Sequence, residues 1–164
     1  MSKTEENLMS AFAGESQANR KYLAYAKKAE SDGLPQVARL FRASAEAETV
    51  HALAHLRLAG KISSTAENLA DAVAGETHEY TRMYPDMIED ARREDRKDVL
   101  QYFGFVRQVE EVHANLYKKA AANPDGLPAV EYYVCGVCGY THEGPMRDDC
   151  PVCRAKASVF YAVK

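Results

Sequence analysis

The sequence predicts a mainly α protein: a four-helix bundle built around a pair of metal ions, followed by a small domain held together by a metal of its own. Three observations predict it. Glu48-Thr49-Val50-His51-Ala52 recurs sixty-two positions later as Glu110-Glu111-Val112-His113-Ala114. Each copy has a shorter herald upstream, Ala13-Gly14-Glu15-Ser16 and Ala74-Gly75-Glu76-Thr77, with Glu-to-Glu separations of 33 and 34 residues. All four cysteines fall within the last thirty residues, as two Cys-x-x-Cys pairs. The same helix pair is therefore written twice, each pair bringing one Glu from one helix and Glu-x-x-His from the other. Carboxylate-bridged dimetal bundles draw their ligands from this set.

Residues 4 to about 31 read as the first helix, with Thr4 as a plausible N-cap and Glu5 and Glu6 in the first turn, where the helix dipole favours them. Leu8, Ala11, Phe12, Glu15, Ala18, Tyr22, Tyr25 and Ala29 form one stripe at helical spacing. Asp32-Gly33 ends it, and Pro35 starts a second helix that runs to Ala59, with Gly60 as its stop. Val37, Phe41, Ser44, Glu48, His51 and His55 share its inward face. A polar stretch over 60–66 suits a crossover. The third helix spans 67–93, with Pro85 expected to free the Thr81 carbonyl and kink it. The fourth spans 96–122, with Val99, Phe103, Val106, Glu110, His113 and Tyr117 facing in. Asn123-Pro124-Asp125-Gly126-Leu127-Pro128 then stops helix formation. The domains expected are thus a bundle over 1–122, a linker over 123–130 and a metal-knuckle domain over 131–164.

In all four helices the Glu of interest lies on the apolar stripe. A lone Glu or His there is more often a surface edge. Four helices making the same violation, with no matching inward Lys or Arg, need cations among them, since isolated carboxylates in a core cost too much. Glu15, Glu48, Glu76 and Glu110, with His51 and His113, are the proposed ligands, and Glu48 and Glu110 the bridges. Mixed carboxylate and imidazole ligation suits iron or manganese. Glu79 breaks the symmetry: it lies three after Glu76 on the same face, where the first copy has Ala18. Five carboxylates leave two ferrous ions one negative charge in excess. Replacing Glu79 by neutral His51 on reduction removes that excess, so a redox-linked exchange between Glu79 and His51 is expected. Tyr22 and Tyr84 lie within about two turns of a ligand Glu, near enough to donate hydrogen bonds to the site.

Cys135, Cys138, Cys150 and Cys153 have tetrathiolate spacing for zinc or iron. An iron that passes electrons has a purpose beside a redox-active diiron pair; a structural zinc ribbon is the competing reading. A net charge of -3 gives no case for nucleic acid or an anionic membrane. No apolar run approaches twenty residues and no basic-then-apolar leader opens the sequence, so neither a membrane span nor an export signal is expected. Paired cysteines without an export signal then fit metal binding in a reducing cytoplasm.

Glu15, Glu48-x-x-His51, Glu76-x-x-Glu79, Glu110-x-x-His113, the Tyr84-Pro85 step and the four-cysteine tail with its Cys-Gly-Tyr turn together resemble rubrerythrin across essentially the whole chain. The resemblance implies a ferritin-like bundle with a rubredoxin-like Fe(Cys)4 domain, and an oxo- and carboxylate-bridged diiron pair (zinc can occupy the cysteine site in recombinant material). It implies reduction of hydrogen peroxide to water as an oxidative-stress defence. Electrons would come from NAD(P)H through a rubredoxin or flavoprotein reductase, within homodimers or larger homo-oligomers. It assigns Glu79 and His51 to the exchanging ligand pair and Tyr22 and Tyr84 to hydrogen bonding beside the metals. It also implies electron transfer between subunits. About twelve residues, ~18 Å of helix, separate Glu110 from the helix end, and a linker pointing onward permits such transfer. A ferroxidase or iron-binding protein that uses oxygen is the alternative activity, since ferritin-like bundles host both.

Overall fold

The computed structural model describes residues 2–163 and divides into two compact units, Met1–Ser63 and Ser64–Lys164. The first is a helical hairpin of α1 (Lys3–Ser31) and α2 (Pro35–Leu58). The N-cap of α1 is Ser2, not Thr4: its Oγ accepts the Glu5 N–H, and the Glu5 carboxylate accepts the Ser2 N–H in return. Thr4 has no such partner three residues on, since position 7 is Asn. Between the helices, Gly33 takes φ 73° and the Leu34 N–H reaches back to the Ala29 carbonyl at 2.9 Å. Ala26, Ala29, Ala38, Ala45 and Ala52 are all buried. Such small side chains let the two backbones approach closely. Phe41 fills the space beside them, with Tyr25 edge-on at 5.5 Å.

The second unit repeats the hairpin and adds the tail. Ser64 caps α3 (Thr65–His78) in the same reciprocal way, with Glu67 as its partner. Residues Glu79–Met83 form one π-helical turn before α4 (Tyr84–Arg93) continues. The Tyr84 N–H donates to the carbonyl of Glu79, five residues back. Pro85 was expected to orphan Thr81; in this wider register the carbonyl five before it is that of Tyr80, and Arg107 Nε from the following helix donates to it at 3.3 Å. The turn between hairpin arms matches the first copy, with Asp95 at φ 53° and the Arg96 N–H on the Ala91 carbonyl at 2.9 Å. Helix α5 spans Lys97–Ala122.

A short 3-10 turn over Pro124–Gly126 leads to strands β1 (Tyr132–Cys135), β2 (Thr141–Glu143) and β3 (Phe160–Ala162), antiparallel in the order β2-β1-β3. The chain does not run onward past α5. It turns back along that helix, where Val109 and Phe105 pack against Cys135, Cys138 and Cys150, and Lys119 pairs with Glu143 at 2.6 Å. An apolar α5 side chain fills what the small tail lacks as a core. No helix is long and apolar enough to cross a membrane among the described residues.

Candidate metal centres

The first cluster joins Glu15 of α1 to Glu48 and His51 of α2, one ligand atom from each lying within 4.8 Å of the others. His51 Nδ1 faces Glu48 Oε2 at 3.0 Å, the one-turn pairing expected of residues three apart. Asn19, one turn after Glu15, fixes the two helices against each other: its Nδ2 donates to the Ala45 carbonyl at 2.7 Å and to Thr49 Oγ1 at 2.8 Å. Glu15 and Glu48 are half-buried within their unit, whereas the His51 side chain is 55% exposed.

The second cluster, Glu76 of α3 with Glu110 and His113 of α5, repeats the geometry. His113 Nδ1 lies 2.8 Å from Glu110 and 3.6 Å from Glu76. Its far nitrogen, Nε2, meets Thr141 Oγ1 of β2 at 3.0 Å. Orienting partners of this kind fix the ring and raise its basicity as a ligand. The hydrogen bond to Glu110 raises the His113 pKa despite burial. Burial pushes the carboxyl of Glu76 up, and the charges of Glu110 and Glu79 add to this while His113 opposes it. Glu79 is raised likewise, by burial first and then by Glu110. Tyr84, packed on Phe103 at 5.8 Å, is held in its phenol form by burial and by the charges of Glu110 and Glu79. Carboxylates crowded until they resist ionisation are the donor set that a multivalent cation relieves.

The third cluster is Cys135, Cys138, Cys150 and Cys153, all free thiols. The sulfurs of Cys135 and Cys153 are 3.7 Å apart, and those of Cys138 and Cys150 3.6 Å. Four thiolates about 2.3 Å from one ion at tetrahedral angles stand about 3.7 Å from each other. Burial pushes the Cys138 thiol up, whereas at Cys135 burial is outweighed by the N–H groups of Cys138 and Val137 together with the thiols of Cys153 and Cys138, which bring it down. The site fits a single tetrahedral ion.

Of the residues singled out from sequence, Glu15, Glu48 and His51 assemble in one unit and Glu76, Glu110 and His113 in the other. Glu79 stands at the start of the π turn, close enough to Glu110 to feel its charge. Tyr22 packs on Phe41 at 6.1 Å in the first unit. Three contributors escaped the sequence reading: Thr141, Asn19 and the π turn with its Arg107 tie. Thr141 had no signal, because it lies 28 residues from His113. Two signals were there for the other two. Asn19 lies one turn after Glu15 on its helix, and the 34-residue spacing against 33 marks an extra residue.

A family model described as rubrerythrin matches residues 6–121, and one for the rubrerythrin rubredoxin-like domain matches 133–161. The chain belongs to the rubrerythrin family. It is 32% identical to rubrerythrin-2 of Clostridium acetobutylicum, covering 97% of this chain and 96% of that one. It is 34% identical to nigerythrin of Nitratidesulfovibrio vulgaris, covering 97% and 86%. Among solved structures, the fully reduced, all-ferrous state of nigerythrin aligns with a TM-score of 0.60 at 33% identity, over 99% of this chain and 88% of that one. Membership makes the helical part ferritin-like and the tail rubredoxin-like, identifies the cofactors as a diiron carboxylate pair and a four-cysteine iron, and places the chain among oxidoreductases.

Proposed function

We propose that this chain reduces hydrogen peroxide to water, taking two electrons and two protons per peroxide, with the cysteine-bound iron as the port through which electrons enter. Glu15, Glu48, His51, Glu76, Glu79, Glu110 and His113 are its diiron ligands in this reading. The observation that carries it is the double engagement of His113: one ring nitrogen faces the ligand carboxylates, and the other is bonded to Thr141 in the cysteine-bearing tail. An oxygen-driven iron-storage protein has no use for a thiolate site wired to a ligand histidine. A reductase refilled from outside has.

When bound, the irons supply the electron pair and the Lewis acidity that cleave the O–O bond. The chain's own residues do the rest. Tyr84, kept as a phenol, donates a hydrogen bond toward the carboxylates, and Tyr22 is assigned the same task from the first unit. Glu79 sits on the widened turn, where a loosened rung of helix frees its side chain to withdraw while His51 takes its place. The exposed tail accepts electrons from a rubredoxin or a flavoprotein reductase fed by NAD(P)H.

The test is to reduce the protein without oxygen and mix it, in separate stopped-flow runs, with peroxide and with oxygen. Peroxide is expected to oxidise the helix-bound irons faster. Faster oxidation by oxygen would make the chain a ferroxidase instead. A visible spectrum identifies the tail metal, since a ferric tetrathiolate is red and zinc is colourless.

A further inference from the structure

Resting on the diiron reading above, we infer that Asn19 and Arg107 are positioning residues for the metal ligands. One in each hairpin, they hold the helix with the single Glu in register with the helix bearing Glu-x-x-His. Asn19 lies four residues after Glu15, and Tyr80 four after Glu76; Ala45 lies three before Glu48, and Arg107 three before Glu110. The two ties therefore join equivalent positions, but in opposite directions. In the first hairpin the side chain at 19 donates to the backbone carbonyl of 45, at 2.7 Å. In the second the side chain at 107 donates to the backbone carbonyl of 80, at 3.3 Å.

The reversal has a local cause. The Tyr84 N–H is taken by the Glu79 carbonyl, and the residue five after Tyr80 is Pro85, which has no N–H. The Tyr80 carbonyl is thus left for a donor from another helix. Helix α1 is regular at Asn19 and frees no such carbonyl, so there the donor is the side chain and the acceptor lies across, on α2. Two different chemistries keep one contact at one level, a turn away from the ligands.

Little else sets the register of the first hairpin. The buried side chains of α1 and α2 are all alanines, whose shallow ridges resist sliding poorly. A slip of one residue moves a ligand about 1.5 Å along the axis and turns it by about 100°, whereas metal–ligand distances are held to about 0.2 Å. Asn19 uses its amide twice, the second bond reaching Thr49 Oγ1, beside Glu48, at 2.8 Å. In the second hairpin the widened turn adds freedom of its own at Glu79, the neighbour of Tyr80. Neither tie protects a group that would otherwise be orphaned. Thr49 Oγ1 also donates to the Ala45 carbonyl, at 3.1 Å, and Arg107 is exposed, so water can replace it on Tyr80. Breaking either tie should therefore leave folding nearly intact and act on the ligands.

In the experiment, full-length iron-loaded protein meets a ferric chelator. Loss of the helix-bound pair is followed by metal analysis and near-ultraviolet absorption, with the red tail centre as internal control. Asn19→Leu should speed that loss about 10-fold and Arg107→Met about 3-fold, with the tail centre unchanged. Thr49→Val, which spares the bond from Asn19 to Ala45, should fall between wild type and Asn19→Leu, and it carries the test if Asn19→Leu does not fold. Arg107→Lys keeps a donor of similar reach and should restore wild-type retention. Melting temperatures of the metal-free proteins should stay within about 3 °C of wild type. In a Glu79→Ala background Arg107→Met should add nothing, because its tie acts through that turn, whereas Asn19→Leu should keep its full effect. Wild-type retention in Asn19→Leu, Thr49→Val and Arg107→Met would overturn the proposal. So would losses that Arg107→Lys fails to restore, or that follow a matching fall in metal-free melting temperature. A wild-type chain that takes no iron into its helices would instead overturn the diiron reading itself.

Discussion

The two hairpins carry the same three candidate ligands, yet each is elaborated in its own way: the first is braced by Asn19 across to Ala45 and Thr49, while the second carries the additions that touch its histidine and its carboxylates. His51 has Glu48 as its hydrogen-bond partner, whereas His113 is held by Glu110 on one side and Thr141 on the other. The first helix passes its Glu15 without irregularity. Its counterpart acquires Glu79, a π turn, Pro85 and a tie to Arg107 within about two and a half turns of Glu76. The lesson is a division of labour within a duplicated frame. On the proposed function, one half holds metal with three residues, while the other fixes one histidine at both ring nitrogens, carries a further carboxylate on a π turn and connects to the electron supply.

The largest effect should come from cutting that connection. Cys138→Ser removes one of four thiolates and with it the metal that organises the tail. Turnover with an external reductant is expected to fall by at least ~10³-fold. A single oxidation of chemically pre-reduced helix-bound iron should survive, and its loss would show that the tail and the helical ligands are one unit rather than two. Glu79→Ala comes next. It makes the second copy resemble the first at that position, and peroxide turnover is expected to drop by about 10²-fold while two irons remain bound. Unchanged kinetics in steady-state assays would make Glu79 a spectator and erase the main chemical difference between the hairpins.

Thr141→Val tests the firmness of His113. Losing the partner of a ligating histidine weakens metal binding about 10- to 100-fold. One helix-bound iron should therefore leave faster than its neighbour during chelator competition, and Thr141→Ser should restore its retention. Equal loss of both irons would mean that Thr141 merely supports the tail.

Most of this frame is legible in the sequence because it is local. Glu-x-x-His on a helix, the Glu heralds and paired cysteines each express one element's periodicity. What escaped needs two elements at once, as with Thr141 on His113 or Arg107 on the Tyr80 carbonyl. The π turn falls between these cases. From Glu15 to the end of its helix is sixteen residues, and from Glu76 to Arg93 seventeen, while the connecting turns and the stretches from helix start to Glu-x-x-His are equal. The extra residue lies inside the helix, and an extra residue in a continuous helix rotates all that follows by about 100°. The wide turn at Glu79 absorbs it, so that Phe103, Glu110 and His113 still meet their partners. The reciprocal caps show the same duplication, since Ser2-x-x-Glu5 and Ser64-x-x-Glu67 stand sixty-two residues apart, like the two Glu-x-x-His motifs; the residue gained after Glu76 is matched by one fewer between the cap and that Glu.

The smallest expected effect lies where the two copies ought to be interchangeable. Gly33 and Asp95 occupy equivalent positions in the hairpin turns, with φ 73° and φ 53°. Both turns close by a backbone bond from the following residue to the carbonyl five before it. Glycine enters this left-handed region freely, and aspartate does so with less cost than most residues. Asp95→Gly should therefore stabilise the second hairpin by only about 0.5 kcal/mol, a rise of about 1–2 °C in Tm, because the Lys97 contact it removes is exposed and long at 3.9 Å. Gly33→Ala, by contrast, should cost about 1 kcal/mol, since an alanine there gains no compensating hydrogen bond. Both are read by thermal denaturation of the iron-loaded protein. A destabilised Asp95→Gly would show that the aspartate holds the second turn through its own side chain, one more elaboration confined to that copy.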